Sequence, residues 1–141
     1  MLSAIVQRGW CAPTDNAVDC AALVAFYNAT GRTLDWKIDG NTSMCSWEGV
    51  GCSSAGRVSQ LVLYGIDLEG TLPSEVGQLS GLTNLDLSVN SLSGTVPSAL
   101  CNIDECDLTY NHLTLPSYRR SDCCGLPAPP GPGYELSLIH I

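Results

Sequence analysis

The amino-acid sequence predicts a short, right-handed α/β solenoid of about three repeats, with a helical cap at the N-terminal end and a cysteine-rich C-terminal end. Three observations predict this architecture. An apolar pattern recurs three times in the middle of the chain, and a helical pattern precedes it. Half of the 8 cysteines precede the repeats, while the others begin at residue 101, just before the last copy. Because one repeat cannot bury its own apolar face, the copies must stack, and both ends of the stack need a cover.

The N-terminal cap is predicted for residues 14–57, after a lead segment at residues 1–13. Its first element is a helix, because Asp15 or Asn16 can cap a helix N-terminus and Gly31 can end the helix. The apolar residues between these points recur at i, i+3, i+4 and i+7, which is the spacing of one helix face. They are Cys20, Leu23, Val24 and Tyr27.

The repeat region is predicted for residues 58–116. A first copy at residues 58–68 is followed 24 residues later by a second at 82–92, and 21 residues after that by a third at 103–113. The alternating leucines of each copy predict a short strand whose leucines point into the core. The copies read Val58-x-x-Leu61-x-Leu63-x-x-Ile66-x-Leu68, Leu82-x-x-Leu85-x-Leu87-x-x-Asn90-x-Leu92 and Ile103-x-x-Cys106-x-Leu108-x-x-Asn111-x-Leu113. Three copies in phase indicate a leucine-rich repeat.

An asparagine follows the strand in two of the copies, where the chain must bend away. The amides of Asn90 and Asn111 can satisfy backbone groups that would otherwise be buried without a partner. Ile66 takes this position in the first copy. The first bend is therefore expected to be held in another way or to be partly solvated.

The repeat, read with the Gly-x-(Val/Leu)-Pro that follows its first two copies, resembles the plant-type leucine-rich repeat class. The region before it resembles the N-terminal cap of that family. The matching residues are Ala21-Ala22-Leu23-Val24-Ala25-Phe26-Tyr27, Trp36, and Cys45-Ser46-Trp47-Glu48-Gly49-Val50-Gly51-Cys52 leading into Gly56-Arg57-Val58. The resemblance covers about residues 17–113 and implies a Cys45–Cys52 disulfide, a concave β face and extracellular recognition. Family members include receptor ectodomains, receptor-like proteins without kinases, and secreted polygalacturonase-inhibitor-like proteins.

The remaining cysteines depart from the plant pattern and resemble disulfide-rich short versions of the class, in which a cysteine cluster closes the C-terminal end. A Cys11–Cys20 bond is expected, while the last four cysteines allow three connectivities. Strain disfavours a bond between the adjacent Cys123 and Cys124. Two alternatives remain, a buried Cys106 thiol and a zinc site. The zinc site would comprise Cys101, Cys106, His112 and Cys123, at a spacing that is not typical of tetrahedral zinc.

Three segments follow the repeats. Residues 117–125 are the predicted cysteine-rich end, and residues 126–135 read as a Pro/Gly linker. Residues 136–141 resemble a translated adaptor sequence from DNA library preparation, so we expect the natural chain to continue differently after residue 135.

Composition excludes several partners. The formal net charge of -8 disfavours contact with nucleic acid or with an anionic membrane surface. The cysteine content indicates an oxidising compartment, although Arg8 interrupts the apolar N-terminus before a complete signal peptide. Two N-x-[ST] sequons, at Asn28 and Asn41, are predicted glycosylation sites. We therefore expect an extracellular or cell-surface protein, and the sequence does not define its oligomeric state.

The outward positions of the predicted strands form a concave face that we expect to bind a partner. Residues 58–118 contain seven acidic residues and no lysine or arginine, and Asp86 and Asp107 take equivalent positions on adjacent strands. Like charges on neighbouring strands are destabilising unless a cationic ligand offsets them. A solvated acidic face without a partner is the alternative. The predicted contact residues are Gln60, Val62, Tyr64, Asn84, Asp86, Ser88, Glu105, Asp107, Thr109 and Tyr110.

Catalysis is not predicted. Outside the last six residues His112 is the only histidine, so a Ser-His or Cys-His pair has a single candidate base. Asp86 and Asp107 could be imagined as the two carboxylates of a glycoside hydrolase, but a shallow face lacks the pocket that raises one pKa. We expect no catalytic residue, no metal and no cofactor.

The predicted function is therefore non-catalytic recognition of a protein or peptide ligand outside the cell, as in a receptor ectodomain. A secreted inhibitor of a cell-wall-degrading hydrolase and a structural wall or matrix protein are the alternatives. The sequence downstream of residue 135 would distinguish the three.

Overall fold

The computed structural model describes residues 9–130. Most of the predicted lead segment, part of the predicted linker and all of the predicted tail at residues 136–141 lie outside the described residues. The described part contains one α-helix, α1 (Ala17–Ala29), and seven strands. The strands are β1 (Val50–Cys52), β2 (Val58–Val62), β3 (Glu69–Thr71), β4 (Asn84–Asp86), β5 (Ser91–Thr95), β6 (Glu105–Asp107) and β7 (His112–Thr114).

Helix α1 begins and ends close to the predicted residues. Asn16 is the N-cap, and its side-chain oxygen accepts a hydrogen bond from the Asp19 N–H at 3.0 Å. Thr30 ends the helix, with its hydroxyl donating to the Phe26 carbonyl at 2.7 Å, and Gly31 follows with a φ of +91°. The predicted apolar face packs inward: Cys20, Leu23 and Val24 are buried, and Tyr27 is half-buried and stacked on Trp36.

The first sheet has the strand order β1-β2-β4-β6. Strand β1 is antiparallel to β2, whereas β2, β4 and β6 are mutually parallel and come from the three copies of the repeat. The register pairs Gln60 with Asn84 and Asn84 with Glu105, so equivalent positions of the copies lie side by side.

A second sheet, which the sequence analysis did not predict, has the order β3-β5-β7 and is parallel throughout. Its strands follow the bend in each copy. Short 3-10 segments at Ser74–Gln78 and Ser98–Asn102 then return the chain towards the first sheet. Between the two sheets lies one core that is continuous with the cap. Its fully buried large side chains include Phe26, Leu23, Met44, Leu61, Leu68, Leu85, Leu87, Leu92, Leu100 and Leu108.

The asparagine amides hold the bends by bonding to the preceding copy as well as to their own. Asn90 Oδ1 accepts from the N–H groups of Ile66 at 3.1 Å and Leu68 at 3.0 Å. The first bend, which lacks its own asparagine, is therefore held by the asparagine of the second copy. The Nδ2 atom of Asn90 donates to the carbonyls of Leu63, Leu87 and Ser88.

A buried carboxylate fastens the cap to the first repeat. Asp19 is 0% exposed, and its two oxygens accept from Arg57 Nε and Nη2, each at 2.8 Å. The same carboxylate accepts from the Val58 N–H at 2.9 Å. Hydrogen bonding to Asp19 raises the pKa of Arg57. Since Asp19 lies on α1 and Val58 begins β2, this network fixes the helix against the sheet.

All eight cysteines are in disulfides. The bonds join Cys11 to Cys20, Cys45 to Cys52, Cys101 to Cys123 and Cys106 to Cys124. The structure thus selects one of the three connectivities left open for the last four cysteines, with the adjacent pair bonded to different partners. The two alternatives were wrong: the sulfur of Cys106 is in a disulfide, and so are all three cysteines of the suggested zinc site.

Candidate functional site

The candidate site is the face of the first sheet that points away from the leucine core, called the open face below. Strand alternation turns Leu61 and Leu85 inward and leaves their neighbours outside. Gln60, Glu105 and Asp107 are exposed, whereas other members of the face are half-buried. The register arranges them in two rows, Gln60–Asn84–Glu105 and Val62–Asp86–Asp107.

The Gln60 side chain lies across β1 at the end of the first row. Gly51 is paired directly with Gln60, and a β-carbon at Gly51 would collide with Gln60 Cγ. Any larger residue at position 51 would therefore displace the exposed Gln60 side chain from its place across β1. One end of the open face is therefore bounded by the cap.

Asp86 and Asp107 lie directly opposite each other on β4 and β6. Their Cα atoms are about 4.8 Å apart, the spacing of neighbouring strands. In each aspartate, Oδ1 accepts from the N–H (3.0 Å) and the hydroxyl (2.6 Å) of the residue two positions later. These residues are Ser88 and Thr109. Both carboxylates are thereby held in place, and among the described residues their Oδ2 atoms accept no hydrogen bond from the protein.

Ser88 departs from the prediction that it contacts a ligand. It is buried, with an exposed fraction of 7%, because its hydroxyl turns back to Asp86. Thr109 is half-buried and makes the same contact with Asp107. Ser88 and Thr109 therefore support the two carboxylates, and Ser88 offers almost no surface to a partner.

Three large side chains are exposed where the chain leaves the sheet. Tyr64, Val89 and Tyr110 are 61%, 53% and 80% exposed. Val89 and Tyr110 occupy the same place in successive copies, where the first copy has Gly65. All three of these equivalent residues have left-handed backbones, with φ of 65° at Gly65, 57° at Val89 and 58° at Tyr110. Val89 was not among the predicted contact residues.

The two sequons lie in the cap, away from the open face. Asn28 and Asn41 are both exposed, although the hydroxyl of Thr30 in the first sequon is buried and bonded within the helix end. Asn28 also lines a groove of about 590 Å³ together with Trp10, Tyr27 and Arg32. Near the second sequon, the Asn41 and Thr42 N–H groups donate to Asp39 and lower its pKa.

The histidine considered as a catalytic base lies outside the open face. His112 lies exposed on β7, in the second sheet rather than on the open face. Over residues 9–130 no group of three or more histidine, cysteine or acidic side chains is arranged to hold a metal ion. Nor does that part of the chain contain a helix long and apolar enough to span a membrane.

Two segments match known family models. Residues 16–53 match the leucine rich repeat N-terminal domain, and residues 81–103 match a leucine rich repeat. The chain is 32% identical over 107 residues to MDIS1-interacting receptor like kinase 1 of Arabidopsis thaliana, a match that covers 73% of this chain and 11% of the kinase. The chain therefore spans only a small part of the curated relatives it matches.

Solved structures are similar as well. The crystal structure of PEPR1-AtPEP1 matches with a TM-score of 0.59 and 31% identity, covering 67% of this chain and 15% of that one. The BIR3–SERK2 complex from Arabidopsis thaliana matches with a TM-score of 0.54 and 29% identity, covering 65% of this chain and 55% of that one. The helix, strands and disulfides described above thus form the fold of a leucine-rich repeat ectodomain. The resemblance read from the sequence is confirmed, and this chain is a plant-type leucine-rich repeat protein with the N-terminal domain of that family.

Proposed function

We propose that this chain is a short, right-handed solenoid of about three leucine-rich repeats that recognises a protein or peptide ligand outside the cell, without catalysis. The ligand would bind the open face, which is the concave side of such a solenoid. In this proposal the cap spans residues 14–57, the repeats 58–116 and the cysteine-rich end 117–125, and Asn28 and Asn41 carry glycans.

The observation that carries the proposal is the fixed pair of carboxylates on the open face. Asp86 and Asp107 are side by side, are held by hydrogen bonds from their own strands, and have no lysine or arginine between residues 58 and 118 to neutralise them. Such a pair is destabilising in the free protein and is relieved by a cationic ligand group. Because the carboxylates are already ordered, binding would cost little conformational entropy on this side.

The similar proteins support the same function at a coarser level. The chain matches a receptor like kinase over 11% of its length, and one of the similar structures is a complex of two proteins. An extracellular or cell-surface location agrees with these relatives and with the four disulfides, since disulfides persist in oxidising compartments.

The test uses a displayed random peptide library selected on the purified protein. Enriched peptides are then measured against Asp86→Asn with Asp107→Asn, a double variant that keeps the Oδ1 acceptors but removes two charges. Every protein is produced in the bacterial periplasm of a host without N-glycosylation, because both substitutions create an N-x-[ST] sequon. Binding is expected to weaken by about tenfold or more, because desolvated charge pairs dominate such contacts. The matched control, Glu69→Gln with Glu75→Gln, removes two charges elsewhere and should bind as the wild type does. Equal loss in both variants, or no loss in either, would contradict the proposal.

A further inference from the structure

An exposed apolar strip borders the open face. It consists of Tyr64, Val89 and Tyr110 and is called the tyrosine–valine rim below. The Val89 N–H donates to the Thr109 carbonyl at 3.0 Å, so Val89 and Tyr110 lie on adjacent turns about one strand spacing, or about 4.8 Å, apart. Tyr64 directly precedes the equivalent residue of the first copy. The three side chains therefore follow one another along the stack.

The backbone beneath the rim is strained for the side chains that it carries. Val89 and Tyr110 have φ of 57° and 58°, a region that glycine and asparagine adopt with little cost and that a β-branched residue almost never adopts. Both side chains are exposed, so packing inside the protein does not compensate for this strain. A strained, exposed apolar residue is therefore better explained by a contact outside the chain.

The rim lies beside unbalanced charge. Asp86 comes three residues before Val89, and Asp107 comes three residues before Tyr110. Three residues of extended chain span at most about 10 Å. A ligand that contacts the rim is thus within reach of both carboxylates. Because residues 58–118 contain no lysine or arginine, the positive charge that would balance these carboxylates has to come from the ligand.

We infer that the tyrosine–valine rim and the Asp86–Asp107 pair together bind one extended peptide, in which a large apolar side chain lies within about three residues of a lysine or arginine. This inference rests on the proposed function and names the class of its ligand. Tyrosine is well suited to the contact, because its ring buries a large area and its face attracts a cation.

The test compares the sequences that a random peptide library yields on three proteins, all produced in the same host without N-glycosylation, because Val89→Asn also creates an N-x-[ST] sequon. On the wild type, enriched peptides should combine an apolar residue with a basic one at a short spacing. On Val89→Asn with Tyr110→Asn the apolar preference should disappear while the basic preference stays. On Asp86→Asn with Asp107→Asn the basic preference should disappear. Individual wild-type peptides should bind the rim variant about tenfold more weakly.

The rim variant also provides its own folding control. Asparagine tolerates the left-handed backbone, so this variant should melt at the same temperature as the wild type or higher. If it is folded and still selects the same apolar residues, the inference is overturned while the proposed function stands. If the wild type enriches no peptides, or if its peptides are insensitive to both double variants, the proposed function itself has failed.

Discussion

Asn90 is a polar residue whose replacement should strongly destabilise the repeat region. Its side chain satisfies two backbone N–H groups of the preceding copy and donates to three carbonyls. In Asn90→Ala all of these bonds are lost at once. Leu68, one of the two donors, is 0% exposed, so water cannot easily replace the lost acceptor.

The magnitude follows from the groups left unpaired. An unsatisfied buried donor costs about 1–3 kcal/mol. The Ile66 N–H is a second, half-buried donor that loses its acceptor, and three carbonyls lose the Nδ2 donor of Asn90. Asn90→Ala should therefore lower the free energy of unfolding by about 3–5 kcal/mol. Asn111 provides a matched comparison, because its Oδ1 accepts from the N–H of Leu92 alone. Asn111→Ala should therefore cost only about 1–3 kcal/mol.

Urea unfolding, followed by tryptophan fluorescence with the disulfides intact, measures both variants. Trp36 and Trp47 are buried in the cap and stacked on each other, so their emission reports unfolding. The comparison requires equal dependence of the free energy on urea concentration in all three proteins. A loss for Asn90→Ala that is no larger than the loss for Asn111→Ala would refute the reasoning, since the second donor would then contribute nothing.

Three further predictions concern the cap, the C-terminal end and one loop. Asp19→Ala should lower the free energy of unfolding by about 1–3 kcal/mol in the same assay, because it leaves the buried Val58 N–H without an acceptor, whereas the Arg57 side chain is 34% exposed and can bond to water. Ser80→Ala, which removes only an exposed bond to that arginine, should have little effect. Cys106→Ser with Cys124→Ser opens a loop of 18 residues and should cost about 3 kcal/mol, whereas peptide mapping without reduction that finds Cys106 bonded elsewhere would contradict the pairing. The pKa of Asp39 is lowered in the folded protein, so its ionised carboxylate stabilises the fold at pH values above the pKa of an unfolded aspartate. The difference in the free energy of unfolding between wild type and Asp39→Asn should therefore shrink as the pH falls through the folded pKa. A difference that stays constant with pH would contradict this prediction.

Strand pairing in the first sheet could be predicted because the repeat has a strict register. Equal offsets within each copy require equivalent residues of parallel strands to lie side by side, and Asp86 does lie opposite Asp107. The cap helix was predictable for a similar reason, since its cap at Asn16 and its apolar spacing are local signals.

The second sheet could not be predicted, because its strands carry no alternating apolar pattern. Glu69–Thr71 is exposed throughout, and only Leu92 is buried in β5. These strands are held mainly by backbone bonds between copies. Glycines at positions 70 and 94, which favour a turn when a single sequence is read, lie within them. These strands form by pairing with segments of other copies, and the local sequence of one copy does not reveal that pairing.

The error at Ser88 has a definite cause. Alternation places Ser88 outward, and the equivalent residue of the first copy, Tyr64, is indeed 61% exposed. Ser88 is buried because its short side chain turns back and donates from its hydroxyl to Asp86, a contact that the spacing of apolar residues does not reveal. The left-handed backbone at Val89 did have a sequence signal, since Gly65 takes the equivalent position of the first copy and glycine marks a backbone that other residues adopt with strain.

The cysteine-rich end takes the place that a following repeat would occupy. In each of the first two copies, the second leucine of the Leu-x-Leu pair donates its N–H to the carbonyl of an aspartate in the next copy. Leu63 donates to Asp86 at 2.8 Å, and Leu87 donates to Asp107 at 3.0 Å. In the third copy the same bond runs from Leu108 to the carbonyl of Cys124 at 2.9 Å.

The Cys106–Cys124 disulfide fixes this substitute against β6, and antiparallel β1, which is three residues long, forms the other edge of the sheet. Unpaired strand edges bind extended peptides through their backbone groups with little regard for side chains. With one edge occupied at Leu108 and the other formed by a short strand, a ligand of the open face would be recognised mainly by side chains on that face and its rim. Asp86, Asp107 and Tyr110 would then determine which sequences bind, and for this reason substitutions at these positions are expected to change the selected peptides rather than merely their number.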